Sequence, residues 1–194
     1  MKIILFGGSF DPPHLGHKKI IKECLKYKFD KFILMPSYKS PLKTTSTLSS
    51  KNHRLEMLNL LINDLEFPID INTWEINQNR QSFTYLSINY LKKKYLNSSI
   101  SLVIGSDQLR QFSSWKNYKY ILENVHIICF RRYFNELNPL EGMSVTWNND
   151  FNVDISSSMI REKIKKGESF KNEMPPSILK YIKNNNLYGI LNDN

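Results

Sequence analysis

One stretch decides the fold: Ile3-Ile4-Leu5-Phe6 runs directly into Gly7-Gly8-Ser9-Phe10-Asp11-Pro12-Pro13-His14-Leu15-Gly16-His17. The four apolar residues do not alternate with polar ones, which predicts a strand buried on both faces. The paired glycines end that strand, and the spacing of Ile20, Ile21 and Cys24 behind His17 predicts a helix. In open parallel sheets, ligands bind at this strand-to-helix edge, where glycines let a phosphate approach the backbone and helix N-termini favour anions. The stretch therefore predicts phosphate chemistry.

The same alternation of strand and helix continues along the chain. The predicted strands are residues 1–6, 31–35, 69–76, 100–104, 125–130 and 144–147. The predicted helices are 17–25, 53–65, one that Ser82-Phe83-Thr84 opens, 118–122, 156–166, and one that Pro175-Pro176 opens. This order predicts an α/β fold that is Rossmann-like and doubly wound, with a mainly parallel sheet of five to six strands and helices on both faces. We expect a single domain over 1–194, whose C-terminal part, about 156–190, is helical.

Composition limits the class of protein. The chain has 194 residues, 41% of them hydrophobic, which is enough for a sizeable core. No apolar run approaches the roughly 20 residues of a membrane span, and the first residues lack a signal-peptide pattern, so we expect a cytoplasmic protein. Cys24 and Cys129 lie in apolar contexts and are expected to be reduced core thiols rather than a disulfide or a metal site.

The net charge is +9, with a pI near 9.4. Such a charge suits a polyanionic partner, but it also describes an ordinary lysine-rich surface. The lysines are dispersed and are not interleaved with aromatic residues, so no nucleic-acid partner is predicted. The sequence does not determine the oligomeric state.

His14 and His17 are candidates for contact with phosphate. An imidazole can donate a hydrogen bond to a phosphate oxygen, and two donors could stabilise the extra charge of a pentavalent transition state. A pair of capping or surface histidines is the alternative. No protein metal site is predicted because no third His or Cys ligand lies nearby. The dinucleotide fingerprint Gly-x-Gly-x-x-Gly is also absent.

A second candidate motif is Ile155-Ser156-Ser157-Ser158-Met159-Ile160-Arg161. Its amides, hydroxyls and guanidinium could converge on a polyphosphate at a helix start. Alone it is an ordinary helix N-terminus. Together with the histidine stretch it predicts the second half of one site.

These two motifs resemble those of the nucleotidyltransferase superfamily with the His-x-Gly-His signature. Within it, the chain is most similar to the bacterial nicotinate-nucleotide adenylyltransferases. The similarity includes Pro12-Pro13-His14, the loop from Pro36 to Pro41 with Lys43, Ser82-Phe83-Thr84, Gly105-x-Asp107 with Trp115, and the tail from Pro175 to Tyr188. It runs over nearly the whole chain. The chain departs from the family pattern at Leu42, at Leu86-Ser87 and at Arg131-Arg132-Tyr133.

The resemblance implies transfer of AMP from ATP to nicotinate mononucleotide, giving deamido-NAD and pyrophosphate, with Mg²⁺ carried by the ATP phosphates. Nicotinamide mononucleotide or phosphopantetheine as the acceptor, or a non-catalytic nucleotide-binding module, are the alternatives. The implied catalytic residues are His14, His17 and Arg161. The implied ATP-binding residues are Gly7, Gly8, Ser9, His14, His17, Ser157, Ser158 and Arg161. The implied acceptor-binding residues are Lys43, Thr84, Asp107 and Trp115. Asp11 is expected to be structural.

Overall fold

The computed structural model describes residues 1–39, 48–131, 139–149, 151 and 153–190. Six strands form one all-parallel sheet in the order β3-β2-β1-β4-β5-β6. The strands are β1 Lys2–Gly8, β2 Lys31–Pro36, β3 Ile69–Ile71, β4 Ser99–Gly105, β5 Val125–Phe130 and β6 Val145–Asn148. The α-helices of the described residues are α1 Leu15–Cys24, α2 Lys51–Ile62, α3 Trp74–Asn77, α4 Thr84–Lys94, α5 Ser106–Arg110, α6 Tyr118–Asn124, α7 Ser157–Lys165 and α8 Pro176–Asn184. The predicted Rossmann-like fold is confirmed.

Both faces of the sheet are covered because successive strand residues point to opposite sides. From β1, Ile4 and Phe6 join a core with α1, α2, α7 and α8. Ile3 and Leu5 join a second core with α4, α5 and α6. An unbroken apolar strand is what burial on two faces requires, as the sequence of β1 predicted.

The chain changes direction across the sheet between β1 and β4. From β1 it runs outward through β2 to β3, and it then crosses to β4 on the other side of β1. In doubly wound sheets the carboxyl ends of the two strands at this switch point border the ligand crevice. Here those ends are the glycine turn at Gly7-Gly8 and the Gly105–Asp107 segment.

The prediction of one strand over 69–76 was wrong in its second half. The strand ends at Ile71, and the Asn72 side-chain oxygen accepts the Trp74 amide at 3.0 Å, which turns the chain into the short helix α3. That turn buries Glu75 and Ile76. The N-cap of α4 is Phe83 rather than Ser82, whose hydroxyl instead accepts the Tyr38 amide at 3.0 Å.

Other local predictions are confirmed. The Ser156 hydroxyl caps α7 by accepting the Met159 amide, and Gly167 follows the helix with φ of +67°. Cys24 and Cys129 are buried free thiols. Within the described ranges, no helix is both long and apolar enough to cross a bilayer.

Candidate active site

A cavity of about 490 Å³ opens where β1 and β4 end. Its lining comes from both strand ends and from the starts of α1, α4 and α7. Ten of the residues implied by the family resemblance line it: Gly7, Gly8, Ser9, His14, His17, Thr84, Asp107, Trp115, Ser157 and Ser158. Motifs from both ends of the chain therefore meet in one place, while the role of each residue stays a prediction.

The two histidines form one unit at the start of α1. His14 is the N-cap residue and only 2% exposed, and its backbone N–H donates to His17 Nδ1 at 3.2 Å. Because that nitrogen accepts, a neutral His17 carries its proton on Nε2. The two rings lie 3.7 Å apart between centroids. Close packing thus fixes the orientation of both imidazoles.

Gly16 explains the spacing between them. A Cβ on Gly16 would lie 3.0 Å from His14 Cε1 and Nδ1 and 3.2 Å from Val153 Cγ1. The His14 ring therefore packs directly on the helix backbone, and any side chain at position 16 would push the ring away. A similar approach occurs at Gly8, where a Cβ would lie 3.0 Å from the Phe10 ring.

Asp11 holds the loop between these glycines and the histidines. Its carboxylate accepts the Leu48 amide at 2.8 Å, the Ser49 hydroxyl at 2.6 Å and the Tyr188 hydroxyl at 2.9 Å. Burial and the nearby Asp11 charge raise the pKa of Tyr188, so this phenol stays a donor at neutral pH. These contacts agree with the expectation that Asp11 is structural.

The prediction from sequence missed Arg54, which hydrogen-bonds to the backbone next to the same loop. Its side chain is 1% exposed, and Nη1 donates to the Ser9 and Ser37 carbonyls, each at 2.7 Å. Burial lowers the pKa of the guanidinium, which the Asp11 charge opposes. A single arginine in an amphipathic helix usually faces water, so the sequence carried no signal of this burial.

The serine-arginine motif contacts the loop directly. The Ser157 hydroxyl donates to the Pro12 carbonyl at 2.8 Å. Arg161 Nη1 donates to the Asp11 carbonyl at 2.7 Å, and Nη2 donates to Ser158 Oγ at 3.2 Å. Among the described residues, the cavity lining includes both serines but not Arg161. The two motifs are thus in direct contact, and their shared role as one site stays a prediction.

At the far end of the cavity, Thr84 is the first residue of α4 and Trp115 stacks on Phe112 with ring centroids 4.9 Å apart. The Asp107 carboxylate folds back over Gly105 into the space that a Cβ there would occupy. The aromatic face and the helix start suit a planar ring that carries an anionic group. Lys43 lies outside the described residues, as do Leu42 and Arg132.

Two further residues of this end were missed in the sequence. Glu75 lines the cavity wall, is 8% exposed, and accepts a hydrogen bond from the Ser87 hydroxyl. Burial raises the pKa of its carboxyl, and hydrogen bonds from Ser87 and Ser82 oppose that rise. Lys116 places its Nζ 4.8 Å from the centroid of the Phe83 ring. The sequence signal for Lys116 was its place next to Trp115.

The described residues contain no group of three or more His, Cys, Asp or Glu side chains arranged to hold a metal ion. Near the glycine turn and the start of α7, the residues that line the cavity offer backbone amides, imidazoles and hydroxyls as donors. These groups can donate hydrogen bonds to phosphate oxygens.

Comparison with known proteins gives a family and a fold. The profile of the cytidylyltransferase-like family matches residues 5–163. The structure is similar to that of Plasmodium falciparum nicotinic acid mononucleotide adenylyltransferase complexed with NaAD, with a TM-score of 0.83, 20% identity and 98% of each chain covered. The complex of a protein of the same name and organism with APC gives a TM-score of 0.80 and 22% identity, again with 98% of each chain covered. A Vibrio parahaemolyticus protein, provisionally described as a nicotinate-nucleotide adenylyltransferase, gives a TM-score of 0.67 at 22% identity, with 92% of this chain and 96% of that chain covered.

Proposed function

The chain belongs to the cytidylyltransferase-like family, and we propose that it transfers the adenylyl group of ATP to nicotinate mononucleotide, giving deamido-NAD and pyrophosphate. One observation carries the proposal. The paired imidazoles of His14 and His17 and the serines of α7 line a single cavity at the switch point of the sheet. The ligands named for the P. falciparum structures, which share this fold, support the same reaction. The proposal treats residues 1–194 as one domain and the protein as cytoplasmic.

In the reaction, a phosphate oxygen of the mononucleotide attacks the α-phosphorus of ATP in line. A new O–P bond forms while the bond from the α-phosphorus to the bridging oxygen breaks, and pyrophosphate leaves with that electron pair. The nucleophile is already an anion at neutral pH, so no general base is needed. Catalysis is then positioning and charge stabilisation.

His14 and His17 donate to the ATP phosphates, with His14 nearest the α-phosphate. The His14 amide contact assigns the proton of a neutral His17 to Nε2, which makes that atom the hydrogen-bond donor of the ring. Two preset donors stabilise the charge that develops on the α-phosphoryl oxygens. Gly7, Gly8 and Ser9 offer backbone contact to the same phosphates.

The leaving pyrophosphate is held by Ser157, Ser158 and Arg161. Arg161 is already oriented by its bonds to the Asp11 carbonyl and to Ser158. The substrate is the Mg²⁺ complex of ATP, in which the ion offsets phosphate charge. On the acceptor side, Trp115 stacks on the pyridine ring, and the amides at the start of α4 near Thr84 bind the carboxylate of that ring. Asp107 contacts the mononucleotide, and Lys43 binds the mononucleotide phosphate.

The test is pyrophosphate release by the purified protein with MgATP and each of three acceptors: nicotinate mononucleotide, nicotinamide mononucleotide and phosphopantetheine. We expect kcat/KM for the acid to exceed that for the amide at least ten-fold, roughly 1.4 kcal/mol of discrimination. Equal rates would refute the assigned acceptor, and faster turnover of phosphopantetheine would replace it. If none of the three acceptors is turned over, the adenylyltransferase proposal is wrong and a non-catalytic nucleotide-binding module is favoured instead.

A His14→Ala variant tests the mechanism. We expect it to abolish pyrophosphate release while the far-UV circular dichroism stays that of the wild type. The matched control is His126→Ala, because His126 lies in β5 and pairs with Ser144 and Thr146 outside the cavity lining. Near-normal turnover by the His14 variant would contradict the assigned role.

A further inference from the structure

We propose that the ammonium group of Lys116 selects the acid form of the acceptor over the amide, an inference that rests on the proposed function. The two mononucleotides differ at one group, which is an anion in the acid and neutral in the amide. A residue that separates them by charge must therefore carry a positive charge near that group.

Lys116 occupies that position. It is the sole lysine or arginine among the described residues that line the cavity. It directly follows Trp115, the residue proposed to stack on the pyridine ring. Its Nζ lies 4.8 Å from the centroid of Phe83, and Phe83 caps the helix that Thr84 begins. The ammonium thus lies over the ring of the residue that directly precedes the helix start proposed to receive the carboxylate.

The other titratable groups that line this end of the cavity are carboxyl groups, and neither would attract the carboxylate of the acid. The Asp107 carboxylate is exposed and lines the cavity beside Gly105. Glu75 also lines the cavity, but its burial favours the neutral carboxyl. The amides at the start of α4 can donate to an oxygen of either the acid or the amide. Lys116 is therefore the group that offsets Asp107 and distinguishes the two acceptors by charge.

The size of the effect follows from Coulomb's law. Lys116 is exposed, so its interactions are partly screened by water. For charges about 6 Å apart in an effective dielectric of about 40, the attraction corresponds to roughly a ten-fold preference. That is large enough to account for the acid preference expected of the wild type.

The experiment measures kcat and KM for nicotinate and nicotinamide mononucleotide at saturating MgATP in three variants. Lys116→Met removes the charge and keeps the length of the chain, and Lys116→Arg keeps the charge. Lys119→Met removes a neighbouring exposed lysine that does not line the described cavity. We expect Lys116→Met to lower the acid-to-amide ratio of kcat/KM about ten-fold, through a higher KM for the acid. Lys116→Arg is expected to restore most of the ratio, and Lys119→Met to leave it unchanged.

The outcomes separate this inference from the proposed function. If the wild type prefers the acid and Lys116→Met keeps that preference, the inference is wrong and the proposed function stands. An equal loss of activity toward both acceptors would also overturn it, because a structural defect lowers both. If the wild type turns over neither mononucleotide, the proposed function and the inference fail together.

Discussion

A Gly16→Ala substitution should separate the activity of this protein from its stability. The added methyl group would lie 3.0 Å from the His14 ring and 3.2 Å from Val153. His14 is 2% exposed, and its ring already lies 3.7 Å from that of His17. The ring must therefore shift by a few tenths of an ångström, and the shift passes to the second imidazole.

The free energy of unfolding should change little, because a gain in helix propensity opposes the cost of the crowded contact. Alanine is preferred over glycine in a helix by about 1 kcal/mol, and the crowded contact costs about 1–3 kcal/mol. We therefore expect the free energy of unfolding to change by less than about 2 kcal/mol. Catalysis has no such compensation, because a misplaced donor loses its alignment with the phosphate. We expect kcat to fall about ten- to hundred-fold.

The assay is pyrophosphate release at saturating substrates, with urea unfolding of the same preparation. Lys22→Ala, at an exposed position on the same helix, serves as the control and should keep wild-type kcat. A Gly16→Ala protein with wild-type kcat would refute the idea that glycine is there to seat His14. A protein that loses stability by several kcal/mol would refute the estimate of compensation.

Arg54→Met leaves two buried backbone carbonyls without their donor, so the free energy of unfolding should fall by about 2–4 kcal/mol in urea titrations. The control Arg110→Met, at an exposed position, should change it by under about 0.5 kcal/mol. Equal effects of the two substitutions would contradict the argument. Burial raises the pKa of Glu75 above its ordinary 4.5, so its contribution to stability is present at low pH and is lost as pH rises through the folded-state pKa. Glu75→Gln should therefore gain stability over the wild type as pH rises above 4.5, in urea unfolding at a series of pH values, and a constant difference would count against it. Burial raises the pKa of the Cys129 thiol to about 12 and also raises the pKa of Cys24. Both thiols should therefore resist iodoacetamide in the native protein and react with it in urea, as measured by mass spectrometry. Rapid labelling of the native protein would contradict their burial.

The sequence predicted an element correctly where the pattern that defines it lies within a few neighbouring residues. An apolar run, a glycine turn and a helical stripe predicted β1 and α1 because each depends on neighbours within a few positions. The prediction of a strand over 69–76 was wrong because it too relied on local spacing alone. Its apolar spacing continued past Ile71, but the Asn72 side chain turned the chain after three paired residues.

The supports of the site lay beyond local reasoning. Arg54 is buried because the ends of β1 and β2 present two carbonyls to one side of α2, a fact of tertiary structure. Glu75 lines the cavity only because α3 turns inward. That the glycine turn, the histidines and the α7 serines line one cavity was predictable from two motifs of recognisable residue types. The opposite end, around Trp115, depends on side chains that come together only in the folded structure.

The contacts of Asp11 have a consequence for how the protein is assembled. Leu48, Arg161 and Tyr188 reach this one residue from 37, 150 and 177 positions away. These distant segments must all be in place before the turn that follows β1 holds its full set of contacts. Although this turn lies near the start of the chain, its geometry depends on side chains near the other end. A chain that ended before Tyr188 would therefore lack a donor to a carboxylate 177 positions away, so the last helical segment helps to shape a turn near the first strand.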